Sequence, residues 1–185
     1  MFIKKFNTFI LIILILFTKK LYAEKMLIDN FSNDNQENWE FISDQVMGGV
    51  SFGSYEILNE GNLSFLKLTG FVSLENNGGF IQVRKKIKIL KNINFKGIKI
   101  NSRGNDKEYF IHIRTKFTLL PWQYYVSTFN ATNQWTTIEL PFSSFNKSNF
   151  YQPSSVSSRD IKTIGIVAIG REFDAEIDLA SIELY

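Results

Sequence analysis

The sequence predicts an all-β protein built as a sandwich of two antiparallel sheets. Phe, Tyr and Trp make up 15% of its 185 residues, and together with Ile and Val they suit the half-buried surface of strands better than helices. After the first 23 residues, short runs of alternating apolar and polar residues are separated by Gly, Asn and Ser, which is typical of antiparallel sandwiches and barrels. The same region shows no apolar period of helix length.

The clearest strand is predicted at 81–89. Its odd positions carry Ile or Val at four of five places, whereas its even positions carry Gln, Arg, Lys and Lys, so one face is apolar and the other polar. The Asn-Asn-Gly-Gly of 76–79 supplies the preceding turn. Further strands are predicted at 63–68, 97–101, 109–114, 124–129, 135–140, 163–169 and 176–184. Eight or more strands in one domain imply two stacked sheets.

The N-terminus is predicted to be an export signal. Lys4 and Lys5 precede a run of nine apolar residues at 9–17, and Leu-Tyr-Ala at 21–23 resembles a cleavage site. Nine residues are too few to span a bilayer, which needs about 20. Lys19 and Lys20 lie between the run and the cleavage site, so an uncleaved anchor stays open. We expect residues 24–185 to form one domain in the periplasm or at the inner membrane.

Charge and composition exclude several functions. Without residues 1–23 the chain has 17 basic and 18 acidic side chains, a formal charge of about −1, so no concentrated basic surface for nucleic acid is expected. The cluster of Lys85, Lys86, Lys88 and Lys91 is interpreted as a solvated strand face. Cysteine is absent and His112 is the single histidine, which excludes thiolate sites and paired-histidine zinc sites.

The most individual stretch is Trp-Glu-Phe-Ile-Ser-Asp-Gln-Val-Met-Gly-Gly-Val-Ser at 39–51. Its adjacent glycines allow a positive φ or a close approach to another surface. A bulge or tight turn before a strand is one interpretation, in which polar side chains bond the turn's own amides. The alternative is a ligand loop, whose candidate residues are Asp44, Met47, Gly48, Gly49 and Ser51.

A second candidate surface follows from alternation around His112. Tyr109, Ile111 and Ile113 are expected to face the core, which places Phe110, His112 and Arg114 on the opposite face. Arg84 is a candidate to join them, and Tyr125 with Ser127 and Phe129 is predicted to form a second stripe; Trp122 lies nearby in sequence. Such a face could stack a sugar ring or hold an extended peptide. The alternative is an ordinary exposed face.

An enzyme would have to use carboxylates. Glu172, Asp174, Glu176 and Asp178 alternate with apolar residues and so share a face. Paired carboxylates serve glycoside hydrolysis, and acidic loops bind calcium. Regular spacing of four acids favours a hydrated edge strand instead. The Met-Gly-Gly of 47–49 lacks the Gly-Lys-Ser/Thr of a phosphate loop. We therefore expect no catalytic residues, no metal and no cofactor.

Several blocks in order resemble the complex I intermediate-associated protein 30 family. They are the Trp39 block with Asp44 and the Val-Met-Gly-Gly-Val-Ser of 46–51, the Leu-Thr-Gly of 68–70, the Gly-Gly-Phe-Ile-Gln-Val-Arg of 78–84, the Trp-Thr-Thr-Ile-Glu-Leu-Pro-Phe-Ser-Ser-Phe of 135–145 and the Ile-Gly-Ile of 164–166. The resemblance extends over about residues 31 to 184. It implies a galactose-binding-like β-sandwich, or jelly roll, and it associates mitochondrial members with assembly of respiratory complex I.

The resemblance favours a non-enzymatic, exported protein that binds a protein partner in a membrane-associated complex. The matrix-side partners of a mitochondrial assembly factor would not be met by an exported protein, so the assembly role itself is not carried over. The alternative is a carbohydrate-binding module of the cell envelope. Exposed aromatic residues lining a groove would favour sugar, whereas an exposed apolar patch would favour a protein.

If the leader is cleaved after Ala23, the mature protein begins at Glu24 and is recovered outside the cytosol. Mass-spectrometric mapping of the N-terminus in fractionated cells checks this. Intact Met1 on cytosolic protein would contradict export, and a full-length form retained in the membrane would show the anchor instead.

Overall fold

A computed structural model describes residues 24–32, 39–89 and 93–185. The strands are β1 (Met26–Asp29), β2 (Trp39–Ser43), β3 (Phe52–Glu60), β4 (Leu63–Val72), β5 (Phe80–Lys86), β6 (Gly97–Gly104), β7 (Lys107–Thr115), β8 (Tyr125–Ala131), β9 (Thr136–Pro141), β10 (Asn146–Lys147), β11 (Ile161–Ile169) and β12 (Phe173–Leu184). Short 3-10 turns lie at Asp44–Met47, Glu75–Asn77, Phe142–Ser144 and Ser158–Asp160.

The strands form two antiparallel sheets, which confirms the predicted sandwich. The first sheet has the order β3-β4-β12-β6-β9, with β1 also paired to β12. The second sheet has the order β10-β8-β7-β11-β5-β2. Each strand predicted from alternation begins within one of these strands or one residue before it, but the strand predicted at 81–89 ends at Lys86, three residues earlier than expected.

The core lies between the two sheets. Alternate residues of β5, β7 and β11 meet alternate residues of β4, β6 and β12, and most of them are Ile or Leu with no exposed surface. Each such side chain contributes about 1.5 to 3 kcal/mol when fully buried. Within the described residues, both sheets and the core cluster are formed by residues 26 to 184.

The sandwich has two ends that present different loops. At one end, β5 begins beside the end of β11, and loops 44–51 and 73–79 emerge there. We call this the upper end. At the opposite end, the lower end, β7 stops beside the start of β11, and loops 116–124 and 148–160 emerge. The two ends therefore offer separate surfaces.

The acidic strand is central, which corrects the prediction of a hydrated edge. β12 pairs with β4 on one side and β6 on the other. Two of the four acids are held by basic residues of the neighbouring strands: Glu176 accepts from Lys67 at 2.6 Å and Asp178 from Arg103 at 2.8 Å. For these two acids the spacing therefore reflects cross-strand ion pairing.

The predicted leader, residues 1–23, lies outside the described residues, and so does Lys91 of the lysine cluster. Lys85 of that cluster does not share the solvated face. Its ammonium pairs with Asp29 and lies 5.8 Å from the Trp39 ring centroid. No helix within the described residues has the length and apolarity needed to cross a membrane.

Candidate binding surfaces

The upper end is organised around the buried carboxylate of Asp44. One oxygen, Oδ1, accepts the Ser51 amide at 2.9 Å; the other, Oδ2, accepts the Ser51 hydroxyl and the Gly79 amide, each at 2.5 Å. The Phe80 amide approaches Oδ2 at 3.3 Å. The Ser51 hydroxyl in turn accepts the Ser73 amide at 2.9 Å. A single carboxylate thus joins two loops that are 35 residues apart.

The glycines of the motif make room for this carboxylate. A Cβ on Gly49 would lie 2.3 Å from the Asp44 Cγ, and one on Gly78 would lie 2.4 Å from Oδ2. Gly48 ends the 3-10 turn with a φ of +90°, a conformation that favours glycine. Both predicted uses of the glycine pair, positive φ and close approach, are therefore present.

Hydrogen bonding keeps Asp44 ionised. Burial by itself would raise the pKa of the Asp44 carboxyl, but the donors from Ser51, Gly79 and Phe80 outweigh it and lower that pKa below its ordinary value of 3.8. The candidate residues Asp44 and Ser51 are fully buried. They hold the loops in place and do not reach the surface themselves.

Apolar side chains are exposed around this buried centre. Val46 and Met47 are 72% and 66% exposed, and they stand on the turn that Asp44 begins. Three more large apolar residues of this end are exposed, namely Val50, Phe52 and Leu74. We call these five residues the upper apolar patch. Of the residues predicted in this loop, only Met47 and Gly48 are at the surface.

The outer face of the second sheet carries the other predicted residues. Register aligns Glu40, Arg84, Gly165, His112 and Val126 in one row across β2, β5, β11, β7 and β8. This confirms that His112 faces away from the core and that Arg84 shares its face. Gly165 leaves the centre of the row without a side chain. Arg84 is not free, because its guanidinium binds Glu40 at 3.0 Å.

His112 is covered by an aromatic ring. The rings of His112 and Tyr124 are stacked, with centroids 3.9 Å apart and an interplanar angle of 11°. Burial lowers the pKa of His112 to about 4, so the imidazole is neutral at physiological pH. It serves as the support of Tyr124 and carries no charge for a ligand.

Arg114 shares the outer face with His112, as predicted, but its head group supports a loop. Its Nη2 donates to the carbonyls of Thr118 at 3.4 Å and Leu120 at 3.1 Å. Its buried Nε has no partner among the described residues. Burial and the neighbouring Arg84 lower the pKa of Arg114. Arg114 is thus a cation without a carboxylate in the described part of the chain.

Tyr125 does not lie on the predicted binding stripe. Because Val126 is the residue opposite His112, Tyr125 and Phe129 point into the core, and the Tyr125 hydroxyl donates to the Pro153 carbonyl at 2.9 Å. The outer face of β8 is instead formed by Val126 and Thr128. Tyr124, which stacks on His112, is instead the outward aromatic residue here. Trp122, in contrast, is 61% exposed at the lower end.

A shallow cleft of about 370 Å³ is lined by residues of β7, β8 and β9. Phe110 and Val126 give it an apolar lining, and polar groups come from Thr128, Glu139 and Asn146. The described residues contain no group of three or more His, Asp or Glu side chains arranged to hold a metal ion.

The chain belongs to the complex I intermediate-associated protein 30 family, whose model matches residues 29–179. This confirms the resemblance found in the sequence. No curated protein matches the chain by sequence.

Among solved structures, the chain is similar to carbohydrate-binding modules. It is 18% identical to the family 11 module from Clostridium thermocellum in complex with a β-1,3-1,4-mixed-linked tetrasaccharide, with a TM-score of 0.70 over 86% of this chain and 94% of that one. The family 11 module of the cellulosomal cellulase Lic26A-Cel5E of the same organism gives 17% identity, 88% and 94% coverage and a TM-score of 0.70. An agarase, AgWH50C, matches at 12% identity with a TM-score of 0.53, over 86% of this chain and 24% of the agarase. These likenesses show the β-sandwich fold.

Replacing Asp44 with Asn should lower the free energy of unfolding at neutral pH by about 2 to 4 kcal/mol, because the amide cannot accept every donor that the carboxylate accepts. Since the folded-state pKa of Asp44 is lowered, its contribution is present above 3.8 and is lost as the pH falls through the folded value. Urea unfolding at several pH values checks both expectations.

The matched control is Asp174→Asn on the exposed face of β12. It should change the unfolding free energy by less than about 0.5 kcal/mol. Equal stability of the Asp44 and Asp174 variants would show that the carboxylate does not hold the upper end.

Proposed function

We propose that the protein is a non-enzymatic binding factor that attaches to a protein partner through the upper apolar patch. The observation that carries the proposal is the exposure of Val46, Met47 and Leu74 on loops that Asp44 fixes from below. Large apolar patches on a soluble surface commonly mark sites of interaction. A loop that is already ordered loses little conformational entropy on binding.

Several of the groups that catalysis would use are engaged in structural contacts, which supports a binding role. Glu176 and Asp178 are held in ion pairs with Lys67 and Arg103. Both oxygens of the Asp44 carboxylate already accept hydrogen bonds from backbone amides and the Ser51 hydroxyl. A general base needs a side chain that can reach a substrate proton, and the one histidine lies beneath Tyr124.

The family name supports a partner that belongs to a membrane-bound assembly. A family described as associated with an intermediate of complex I acts, by that description, on other proteins. The apolar N-terminal run agrees with a location at a membrane, so we place the protein in the periplasm or at the inner membrane. The partner is a protein that buries Met47 and its neighbours.

A second candidate function is carbohydrate binding on the outer face of the second sheet. It is favoured by Tyr124, whose ring is held flat on His112. A cleft is lined by Phe110 and Val126, which are two residues from His112 and Tyr124 in sequence. Flat aromatic rings stack against the apolar faces of sugars, and nearby hydroxyl and amide groups bond their hydroxyls. The family 11 module supports this candidate by its fold.

Replacing Val46 and Met47 together with Ser should reduce partner capture about tenfold or more, because interface anchors of this kind each cost 2 kcal/mol or more when truncated, as a rough guide. The melting temperature should stay nearly unchanged because both side chains are exposed. Affinity capture from native membranes with quantitative mass spectrometry measures the effect.

Thr137→Ser, on exposed β9, is the control and should capture the same protein as the wild type. Undiminished capture by the Val46 and Met47 variant would contradict the assignment of the partner to this patch.

If the outer face binds sugar, calorimetry should detect binding of the β-1,3-1,4-mixed-linked tetrasaccharide, and Tyr124→Ala should abolish it by removing the stacking ring. Tyr151→Ala removes an exposed tyrosine at the lower end and should leave sugar binding intact. No heat of binding for this oligosaccharide or for a panel of β-glucans would remove the carbohydrate candidate.

A further inference from the structure

The lower end exposes a second set of large apolar side chains, far from the upper apolar patch. Phe150 and Tyr151 are 83% and 87% exposed at the tip of one loop, and the β7–β8 loop adds four more. We call the set the lower apolar tip; it consists of Phe117, Leu119, Leu120, Trp122, Phe150 and Tyr151. Four of the six are aromatic, and none of the six belongs to the core cluster.

Hydrogen bonds join the two loops of the lower apolar tip. The Ser148 hydroxyl donates to the Trp122 carbonyl at 3.3 Å, and the Gln152 side-chain amide donates to the Tyr124 carbonyl at 3.0 Å. Lys147 donates to the Phe150 carbonyl at 3.1 Å. The apolar side chains are therefore presented together by a connected backbone.

A basic cleft adjoins the lower apolar tip. Its volume is about 490 Å³, and four of its eight lining residues are basic while none is acidic; the basic ones are Lys86, Lys88, Arg114 and Lys162. Thr118 lines the cleft and lies between Phe117 and Leu119 of the apolar tip. The neighbouring Asp160 is engaged by Lys116 at 2.7 Å. Among the described residues, the lining of the cleft thus offers positive charge to an anion without an acid beside it.

The first strand, β1, begins at this same end of the sandwich. β1 begins at Met26 opposite Leu184, and Leu184 also pairs with Ile98 at the start of β6. The amide of Phe95 bonds Ser158 in the loop before β11, which places these residues at the lower end.

We propose that the lower end docks on the surface of an anionic lipid bilayer. Trp, Tyr and Phe favour the membrane interface, where an amphipathic ring meets both headgroups and acyl chains. The basic cleft supplies the attraction to phosphate headgroups, each lysine or arginine near the surface adding to it. Together the two features give the apolar insertion and the charge that reversible membrane binding requires.

This surface is separate from the upper apolar patch, so the proposal stands or falls independently of the protein partner. A protein docked by its lower end would hold the upper apolar patch away from the bilayer, at the other end of the strands. The occupant is the bilayer, because a cleft without acids beside exposed aromatic tips matches a layer of phosphates above an apolar interior.

Sedimentation with vesicles tests the proposal, using the mature chain that begins at Glu24, as the predicted cleavage gives it, with its fold verified by circular dichroism. The protein should sediment with phosphatidylcholine vesicles that contain about one third phosphatidylglycerol, and sedimentation should fall as salt is raised. Trp122 is exposed whereas Trp39 is buried, so tryptophan fluorescence should shift to shorter wavelength on binding.

Two variants separate the two contributions. Trp122→Ser with Phe150→Ser should weaken vesicle binding about tenfold or more by removing the inserted rings. Lys86→Glu with Lys88→Glu and Lys162→Glu should weaken it at least about tenfold by reversing the charge of the cleft. All five positions are at the surface, and circular dichroism verifies that each variant folds.

The Val46→Ser, Met47→Ser variant is the matched control, since it removes exposed apolar side chains from the opposite end. It should bind vesicles like the wild type. Absence of vesicle binding by the wild type, or equal binding by all variants, would overturn the proposal.

Discussion

The upper end of this protein depends on one buried carboxylate, that of Asp44. Ionised carboxylates are costly to bury unless their oxygens are well supplied with donors. Here two loops supply them, from Ser51 on one side and Gly79 on the other. The close approach of both loops is what requires glycine at 49 and 78. The hydrogen bonds that a single buried carboxylate requires thereby determine how the loops of the upper end are arranged.

The remaining charges divide the molecule by function. On the first sheet, Lys67, Arg103 and the acids of β12 compensate one another across neighbouring strands. On the second sheet Arg84 is neutralised by Glu40, whereas the basic cleft at the lower end has no acid in its lining. Paired faces and two apolar ends suit a protein that bridges other molecules. In this account one end meets a protein and the other meets a bilayer.

Much of the fold could be predicted because strand alternation is local information. That Ile111 faces the core and His112 faces outward follows from the alternation of neighbouring residues, and so does the outward position of Arg84. The face of β8 could not be read in this way, because Tyr124 and Tyr125 are adjacent aromatic residues and only the pairing of Val126 with His112 decides between them. The central position of β12 likewise depends on strand order, which joins residues more than 70 positions apart.

Only part of the site at the upper end could be predicted from the sequence. The conformational demands of Gly48 and Gly49 could be inferred from their adjacency, and the option that Asp44 bonds amides was open. Its partner Gly79 could not be identified, because the contact forms only when β5 is placed beside β2 and β11. Exposure of Met47 follows from that long-range contact. Sequence spacing alone carries no information about it.

Amide hydrogen exchange at Ser51 and Gly79 tests the central claim most directly, since both amides donate to Asp44. The account predicts that in the wild type these two amides exchange slowly, and that in the Asp44→Asn variant they exchange quickly while amides in β7 and β11 stay protected. Fast exchange of both amides in the wild type, at the rate of exposed loops, would contradict the claim that the carboxylate holds the two loops together.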